Sequence, residues 1–229
     1  MMNETSYKSL KPVLAATLAA LALIVGYIEI VWPLAPWLKL DFSEVVILIS
    51  FVFLGFNYTL AVIVIRSVIR WLISGHSTNI PFPFFGETVA IVASVVMVLF
   101  YMLFSKIFSL TKIVKEPEDI SLAEPKSLGK DLLKEFSVGL IITIIMTLVM
   151  VGLNFLVVTP SFVSQGEYPF FFNMVNSGKY DRMFGGPGLS NYTIFIVTLY
   201  GPFNLVKFAS CMAVFTLVKK PLVNALNQE

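Results

Sequence analysis

Long apolar segments dominate this chain of 229 residues and leave few folds open to it. Hydrophobic residues make up 57% of the sequence and charged residues 13%, too few to cover a water-soluble domain of this length. A helix needs roughly 20 apolar residues to cross about 30 Å of hydrocarbon. Six segments approach that length: Val13–Val31, Glu44–Phe56, Tyr58–Ile73, Phe84–Leu110, Phe136–Val158 and Tyr192–Val218. The sequence therefore predicts an all-α integral membrane protein, a single transmembrane domain over residues 1–229 with six transmembrane helices.

The connections between these segments are of two kinds. The second and third segments are short and meet at Gly55-Phe56-Asn57, so they form either two helices or one long bent hydrophobic region. The connection at about 112–135 is charged and contains proline, whereas the one at about 159–191 is rich in Gly, Pro and aromatic residues. We expect these two connections to lie on opposite sides of the membrane.

The distribution of cations predicts the orientation of the chain. One side of the six-helix arrangement carries Lys8, Lys11, Lys106, Lys112, Lys115, Lys126, Lys130, Lys134, Lys219 and Lys220, and the other side only Lys39, Lys179 and Arg182. The positive-inside rule then places both termini in the cytoplasm of a cell-membrane protein. The loops at 32–43, 74–83 and 159–191 face outward, where they are expected to cover an outward site.

Asn204 and Lys207 are polar residues within an otherwise apolar segment. A charge near the centre of a bilayer costs at least roughly 2.5–3.5 kcal/mol, so an intramembrane Lys indicates a functional site by default. The two residues share a helix face because they are three positions apart. Asn154, near the outer end of the fifth segment, adds an amide that both donates and accepts. These groups are predicted to meet one ligand, with hydrogen bonding between helices as the alternative.

Other charged residues within the apolar segments predict ion pairs. Arg66 and Arg70 lie one helical turn apart and face the same way. The acids that can meet them are Glu29, Glu44 and Glu87. Glu87 begins the fourth segment, where it either interacts with the positive end of the helix or faces the binding site.

Two local patterns predict helix boundaries. Asp41 and Glu44 have the D-x-x-E spacing in which the first side chain caps a helix and the second reaches back to the cap. Gly201-Pro202 interrupts the sixth segment, and irregular backbone at membrane depth is tolerated where it lines a cavity or is buried in protein. The residues before Pro202 are therefore expected to form part of the wall of the site.

The first apolar segment contains a stripe of small residues. Ala15 and Ala19, and likewise Ala16 and Ala20, are four positions apart, a spacing that lets another helix approach closely. The stripe predicts docking on a partner helix or packing within the chain.

Enzymatic motifs are missing from the sequence. It contains no G-x-x-x-x-G-K-[ST] loop, no H-E-x-x-H and no G-x-S-x-G, and its single His and single Cys offer no metal-ligand spacing. The net charge of +2 and the absence of basic runs argue against nucleic-acid binding. We therefore expect a protein that is not an enzyme, with no cofactor and no metal.

Several segments together resemble a known family. They are Pro33-Leu34-Ala35-Pro36-Trp37-Leu38-Lys39-Leu40-Asp41-Phe42-Ser43, Phe53-Leu54-Gly55, Ile65-Arg66-Ser67-Val68, Leu153-Asn154 through Thr159-Pro160, and Pro202-Phe203-Asn204-Leu205-Val206-Lys207. The chain resembles the substrate-binding S components of energy-coupling factor (ECF) vitamin transporters, and most of all their riboflavin-specific branch.

The resemblance implies a fold, a ligand and partners. It implies six membrane helices with a vitamin cavity at the outer side, covered by the first and fifth loops. Asn154, Asn204 and Lys207 would bind the ribityl chain, and Leu40 and Glu87 are the other candidate substrate-binding residues. The alanine stripe would dock on the transmembrane coupling subunit, and two cytoplasmic ATPases would supply the energy.

Two alternatives remain open at this point. The same fold serves other vitamins or precursors, such as pantothenate or pyrimidine precursors, because a fold does not determine its ligand. An anionic ligand would use Lys207, Arg66 or Arg70 as its counter-charge. The other alternative is a non-transport membrane scaffold whose polar residues only join helices.

Overall fold

A computed structural model describes residues 4–74, 82–108, 110, 128–164 and 168–226. The first half contains α1 (Glu4–Gly26), β1 (Ile30–Trp32), β2 (Ala35–Leu40), α2 (Ser43–Leu54), α3 (Phe56–Ile73) and α4 (Phe85–Ile107). The second half contains α5 (Leu128–Leu153), a π-helical turn (Asn154–Val158), α6 (Thr159–Ser164), a 3-10 turn (Tyr168–Phe170), α7 (Phe171–Asn176), α8 (Asp181–Phe184) and α9 (Gly188–Leu226).

Among the described residues, four helical segments are long and apolar enough to cross a membrane, so the chain is a multi-pass membrane protein. They are Phe56–Ile73, Phe85–Ile107, Leu132–Ser164 and Gly188–Lys219. The other two predicted spans correspond to the shorter apolar helices Leu10–Gly26 and Ser43–Leu54. Four of the six predicted spans thus correspond to helices of membrane length, and the first two predicted spans are helices below that length.

A hinge at Gly55 turns α3 back along α2. The backbone of Gly55 has φ 79° and ψ 177°, a conformation that is essentially restricted to glycine. The hydroxyl of Ser50 lies 3.2 Å from that of Thr59, and Arg66 reaches back to Ser43 at the start of α2. The two helices are therefore antiparallel neighbours. The two segments do not form one long bent helix.

Replacing Gly55 by Ala is expected to destabilise the protein by about 1–3 kcal/mol, because an L-residue is strained at this φ and ψ. Nothing lies within 4 Å of a Cβ added there, so the cost comes from the backbone and not from a steric clash. Gly152→Ala is the matched control, since Gly152 lies in regular α5 and also has open space. We expect Gly152→Ala to leave the thermal unfolding temperature unchanged or raised, and equal effects of the two variants would contradict the hinge.

The first loop, predicted to face outward, forms a β-hairpin, which corrects the prediction of an all-α chain. Ile30 pairs with Leu40 and Val31 with Lys39 in an antiparallel ladder. Pro33 stands in the turn between the strands, where it cannot continue a helix. As a result, α1 ends at Gly26 and not at the predicted Val31.

The helices pack in a closed order around one core. Helix α1 contacts α2 and α3, α3 contacts α4, α4 contacts α5, and α5 and α2 both contact α9. The central core draws on α2, α3, α4, α5 and α9, and its fully buried members include Ile47, Ile63, Met97, Ile142 and Phe215. Helix α9 thus lies against both halves of the chain.

The fifth membrane helix contains a π-helical turn that follows from Pro160. The N–H of Thr159 donates to the carbonyl of Asn154, five residues back, so the turn is wider by one residue. In this register the missing N–H of Pro160 would have served the carbonyl of Phe155. The hydroxyl of Tyr192 donates to that carbonyl instead, at 2.8 Å. Helix α9 thereby completes the hydrogen bonding of the irregular turn.

Helix α9 runs through Gly201-Pro202 without interruption, so the predicted break in the sixth helix is wrong. One missing donor is tolerated in a membrane helix when neighbouring groups satisfy the backbone. The irregular backbone lies instead on the fifth helix, at Asn154–Val158.

The long connections also differ from the prediction. Helix α5 begins at Leu128, so the last part of the predicted 112–135 loop is helical, and 112–127 lies outside the described residues. Most of the predicted outer loop 74–83 lies outside them as well. The 159–191 connection contains α6, α7 and α8.

Candidate functional site

Lys207 meets a carboxylate of the same chain. Its Nζ lies 3.0 Å from Oδ2 of Asp41, which is 166 residues earlier in the sequence. The thiol of Cys211, one turn further along α9, lies 3.5 Å from the backbone carbonyl of Asp41. The connection between β2 and α2 therefore enters the bundle and touches two successive turns of α9. Lys207 is roughly 28 Å along the helix axis from Gly188, the first residue of α9.

Asp41 is held by its neighbours in a charged form. Its Oδ1 accepts hydrogen bonds from the backbone N–H of Ser43, at 3.1 Å, and from the Ser43 hydroxyl. Burial raises the pKa of Asp41, but the ammonium of Lys207 and these hydrogen bonds outweigh it and hold the pKa well below its usual range. The side chain thus accepts the N–H of Ser43, the first residue of α2, but the N-cap is Phe42 and not the predicted Asp41. Glu44 takes no part in the cap, because its carboxylate is bound elsewhere.

Arg66 connects the start of α2 with α4. It is 2% exposed, and its Nη1 donates to the hydroxyl of Ser43 at 2.7 Å and lies 3.7 Å from the carboxylate of Glu44. Its Nη2 lies 3.4 Å from the hydroxyl of Ser94, which in turn donates to Glu44 at 2.7 Å. Since Ser43 also binds Asp41, one polar network runs from Lys207 to Ser94 through the centre of the bundle.

Arg70 forms a second ionic cluster one turn away. It lies 3.4 Å from the carboxylate of Glu29 and 3.6 Å from that of Glu87, and Glu29 also pairs with Lys39 of the hairpin. The expected ion pairs of Arg66 and Arg70 therefore form. Glu87 is buried and belongs to the Arg70 cluster, not to the contact between Lys207 and Asp41.

The two candidate amides bind their own helices. Asn204 is buried, and its Nδ2 donates to the carbonyl of Tyr200 at 2.8 Å. Asn154 is also buried, and its Nδ2 donates to the carbonyl of Met150 at 2.8 Å. Asn154 is the first residue of the π-helical turn, and such turns are frequent at functional sites.

The predicted site residues thus lie in three places. Lys207 and Asn204 lie on one face of α9, and Leu40 immediately precedes the Asp41 that binds Lys207. Asn154 begins the π-helical turn that continues the neighbouring α5, which packs along α9. Glu87 lies on α4 with Arg70. The structure brings Lys207 next to the hairpin, and it keeps Glu87 in a separate ionic cluster.

An aromatic cluster lies against the N-terminal part of α9. It comprises Phe155, Phe171, Phe172, Tyr180, Phe184, Tyr192 and Phe195. Phe171 stands near its centre, with ring centroids 5.2 Å from Tyr192 and 5.7 Å from Tyr180. Such contacts between rings contribute roughly 0.5–1.5 kcal/mol per pair beyond burial. The short helices of the 159–191 connection are thereby packed onto α9 and the hairpin.

Five buried polar atoms have no hydrogen-bond partner among the described residues. They are Trp32 Nε1, Glu44 Oε2, Arg66 Nε, Glu87 Oε2 and Ser164 Oγ. Buried polar groups are rarely left unpaired, so each calls for an explanation. Sequence reasoning identified neither Trp32 nor Ser164, because an aromatic residue or a serine in an apolar region carries no distinctive signal.

The alanine stripe is divided between two surfaces. Ala15 and Ala19 are buried against Leu54 and Val62, so they pack α1 within the chain. Ala16 and Ala20 are exposed.

A third buried ionic cluster lies at the other end of the bundle. Lys219 pairs with Glu135 and donates to the hydroxyl of Tyr101 at 2.8 Å. It joins the end of α9 to α4 and α5. Lys219 was counted among the cations that predict the orientation of the chain, but its charge is paired with that of Glu135.

A surface groove of about 340 Å³ lies between α5 and α9 and contains none of the predicted substrate-binding residues. Small and apolar residues line it, including Gly139, Ala209 and Ala213. Within the described part of the chain, no group of three His, Cys, Asp or Glu side chains could hold a metal ion.

Comparison with known proteins identifies the fold. A solved structure described as the S component of a bacterial ECF transporter matches with a TM-score of 0.59 at 19% sequence identity, over 96% of this chain and 98% of that chain. The two proteins share a fold. A family model described as heptaprenyl diphosphate synthase component I matches residues 18–114, under half of the chain, and is a different family from the riboflavin-specific branch. No curated protein matches the sequence.

Proposed function

We propose that the chain is the substrate-binding subunit of an ECF-type importer and that it binds riboflavin or another neutral, flat, hydroxylated molecule. The contact between Lys207 and Asp41 carries this proposal, because it fixes an outer hairpin against polar residues of α9 deep in the bundle. The fold shared with an S component supports the same role. In this assignment Asn154, Asn204 and Lys207 bind the hydroxyl groups, and Leu40 and Glu87 lie at the border of the site.

The charge balance favours a neutral ligand. Lys207 is paired with Asp41, and Arg66 with Glu44. Arg70 lies between two acids, one of which also pairs with Lys39. The cations and acids of these clusters are equal in number. An anion such as pantothenate would have to displace an internal carboxylate from one of these cations.

The aromatic cluster supplies the apolar half of such a site. Small-molecule sites are lined mainly by apolar and aromatic side chains, with a few polar groups that fix the orientation of the ligand. A flat ring would bury against the aromatic residues of α9 and the 159–191 connection, while its hydroxylated chain reaches Asn204 and Lys207.

The proposed membrane arrangement has six helices, with α1 and α2 completing the four long spans. Both termini would be cytoplasmic in the cell membrane, as the cation distribution predicts. The coupling subunit would dock on the exposed residues Ala16 and Ala20, and two ATPases in the cytoplasm would hydrolyse ATP. Ala15 and Ala19 would act only indirectly, by holding α1 against α3.

Two other candidates remain testable. The family match over 18–114 supports a membrane component linked to prenyl diphosphate synthesis, which predicts binding of a prenyl diphosphate. The balanced charges disfavour so anionic a ligand. The same fold binding another vitamin, or acting as a membrane scaffold, is the other candidate.

Asn204→Ala is expected to weaken riboflavin binding by roughly 10- to 100-fold, because a buried hydroxyl of the ligand would lose its partner. The variant should still fold, since Ala favours a helix and the Asn204 amide binds only its own backbone among the contacts described. The measurement is quenching of riboflavin fluorescence by the purified chain in detergent.

Thr198→Ala is the matched control for this variant. Its hydroxyl also binds its own helix, at the carbonyl of Ile194, but its side chain is exposed. Binding by the control should equal that of the wild type. Unchanged binding by Asn204→Ala would remove Asn204 from the site.

A further inference from the structure

Trp32 carries a buried hydrogen-bond donor that nothing in the described chain accepts. The indole Nε1–H is the only polar group of the side chain, and it can donate but not accept. Buried donors of this kind normally find a partner, which is why Trp is common where one edge of a ring must meet a polar group.

The hairpin places this donor close to the polar residues of α9. The ring of Trp32 packs edge to face on Phe203, with centroids 5.7 Å apart. Phe203 immediately precedes Asn204 and lies one turn before Lys207, which binds Asp41 at the other end of the same hairpin. The hairpin therefore contacts one face of α9 at two levels, about 5.4 Å apart along the axis. Trp32 occupies one level and the ion pair the other.

The surroundings of Trp32 are largely aromatic. The side chain packs on Phe203 and against the buried cluster that contains Phe171, Phe184, Tyr192 and Tyr200. A flat ligand whose hydroxylated chain starts at Lys207 and extends toward Asn204 would bring its ring to the level of Trp32. At that level, a carbonyl oxygen or ring nitrogen of the ligand would accept from the indole.

We propose that Trp32 is a specificity-determining residue whose indole N–H binds an acceptor on the ring of the substrate. This inference rests on the proposed function and adds to it the part of the ligand that Trp32 recognises. It selects flat heterocycles that present a carbonyl or ring nitrogen at their edge, as riboflavin does. An aliphatic hydroxylated molecule would leave the indole unpaired.

The first test compares Trp32→Phe with Trp37→Phe in the fluorescence titration with riboflavin. Phe keeps an aromatic ring and removes the N–H, so affinity should fall by roughly five- to tenfold. Trp37 lies on the same hairpin but is 66% exposed, so its variant should bind within twofold of the wild type. Equal affinity of the wild type and Trp32→Phe would overturn the inference.

The second test uses the wild-type chain and stays decisive if Trp32→Phe does not fold. The sequence has only three tryptophans, so a ¹⁵N-indole label gives three Nε1–H resonances. Saturation with riboflavin should move the Trp32 resonance to lower field and leave that of Trp37 unchanged. An unmoved Trp32 resonance in the saturated protein would refute the inference and leave the proposed function standing. If the wild type does not bind riboflavin, the proposed ligand and the inference both fail.

Discussion

Replacing Lys207 by Met is expected to lower the free energy of unfolding by about 3–5 kcal/mol, because it leaves the Asp41 carboxylate buried without its counter-charge. The hydrogen bonds from Ser43 remain and reduce the loss toward the lower end of that range. The apparent unfolding temperature of the purified protein in detergent should fall by several degrees.

Lys106→Met is the control, since Lys106 is exposed at the end of α4, and it should leave the unfolding temperature unchanged. The double variant Lys207→Met with Asp41→Asn removes both charges and should recover most of the stability. It should nevertheless fail to bind riboflavin, which separates the two roles of Lys207. A single variant as stable as the wild type would show that Asp41 does not depend on Lys207.

Arg66→Met is the second substitution with a large expected effect, again about 3–5 kcal/mol of destabilisation. Arg66 is almost fully buried and connects Ser43, Ser94 and Glu44, so its loss leaves a carboxylate unpaired between α2, α3 and α4. Thermal unfolding is the measurement here as well.

Glu44→Gln in the Arg66→Met background removes the unpaired charge and should restore part of the stability. Arg182→Met serves as the control, because Arg182 is exposed on α8 and should tolerate the change. If Arg66→Met alone unfolds at the wild-type temperature, the network does not hold the three helices together.

Hydropathy predicted the helices well because burial in lipid requires long apolar segments. The fourth segment was predicted over Phe84–Leu110 and forms α4 over Phe85–Ile107. The hairpin at 30–40 was not predicted, because short strands flanked by prolines carry the same signal as a loop. The hinge at Gly55 was recognised, but hydropathy alone could not distinguish a bend from a full reversal.

The sequence singled out the polar residues of the candidate site, but it did not predict which residues they contact. An intramembrane Lys requires a polar partner, and the sequence offers several acids. Asp41 fitted the sequence pattern of a helix cap equally well. In the structure its carboxylate accepts the N–H of Ser43, the first residue of α2, and also binds Lys207. A contact across 166 residues depends on how the hairpin folds into the bundle, which no local pattern encodes.

The same reasoning explains the error at Pro202. Proline within an apolar segment signals irregular backbone, and the sequence contains such a residue on both the fifth and sixth helices. The irregular turn formed before Pro160, where Tyr192 satisfies the freed carbonyl, and α9 continued through Pro202.

Titration of riboflavin with the wild-type chain, purified alone in detergent, tests the central claim most directly. The account predicts saturable quenching of the vitamin's fluorescence with one riboflavin bound per chain, and no heat of binding with pantothenate in calorimetry. Heat with pantothenate and no quenching of riboflavin would contradict the neutral-ligand claim. Absence of both signals would contradict the assignment as a vitamin-binding subunit.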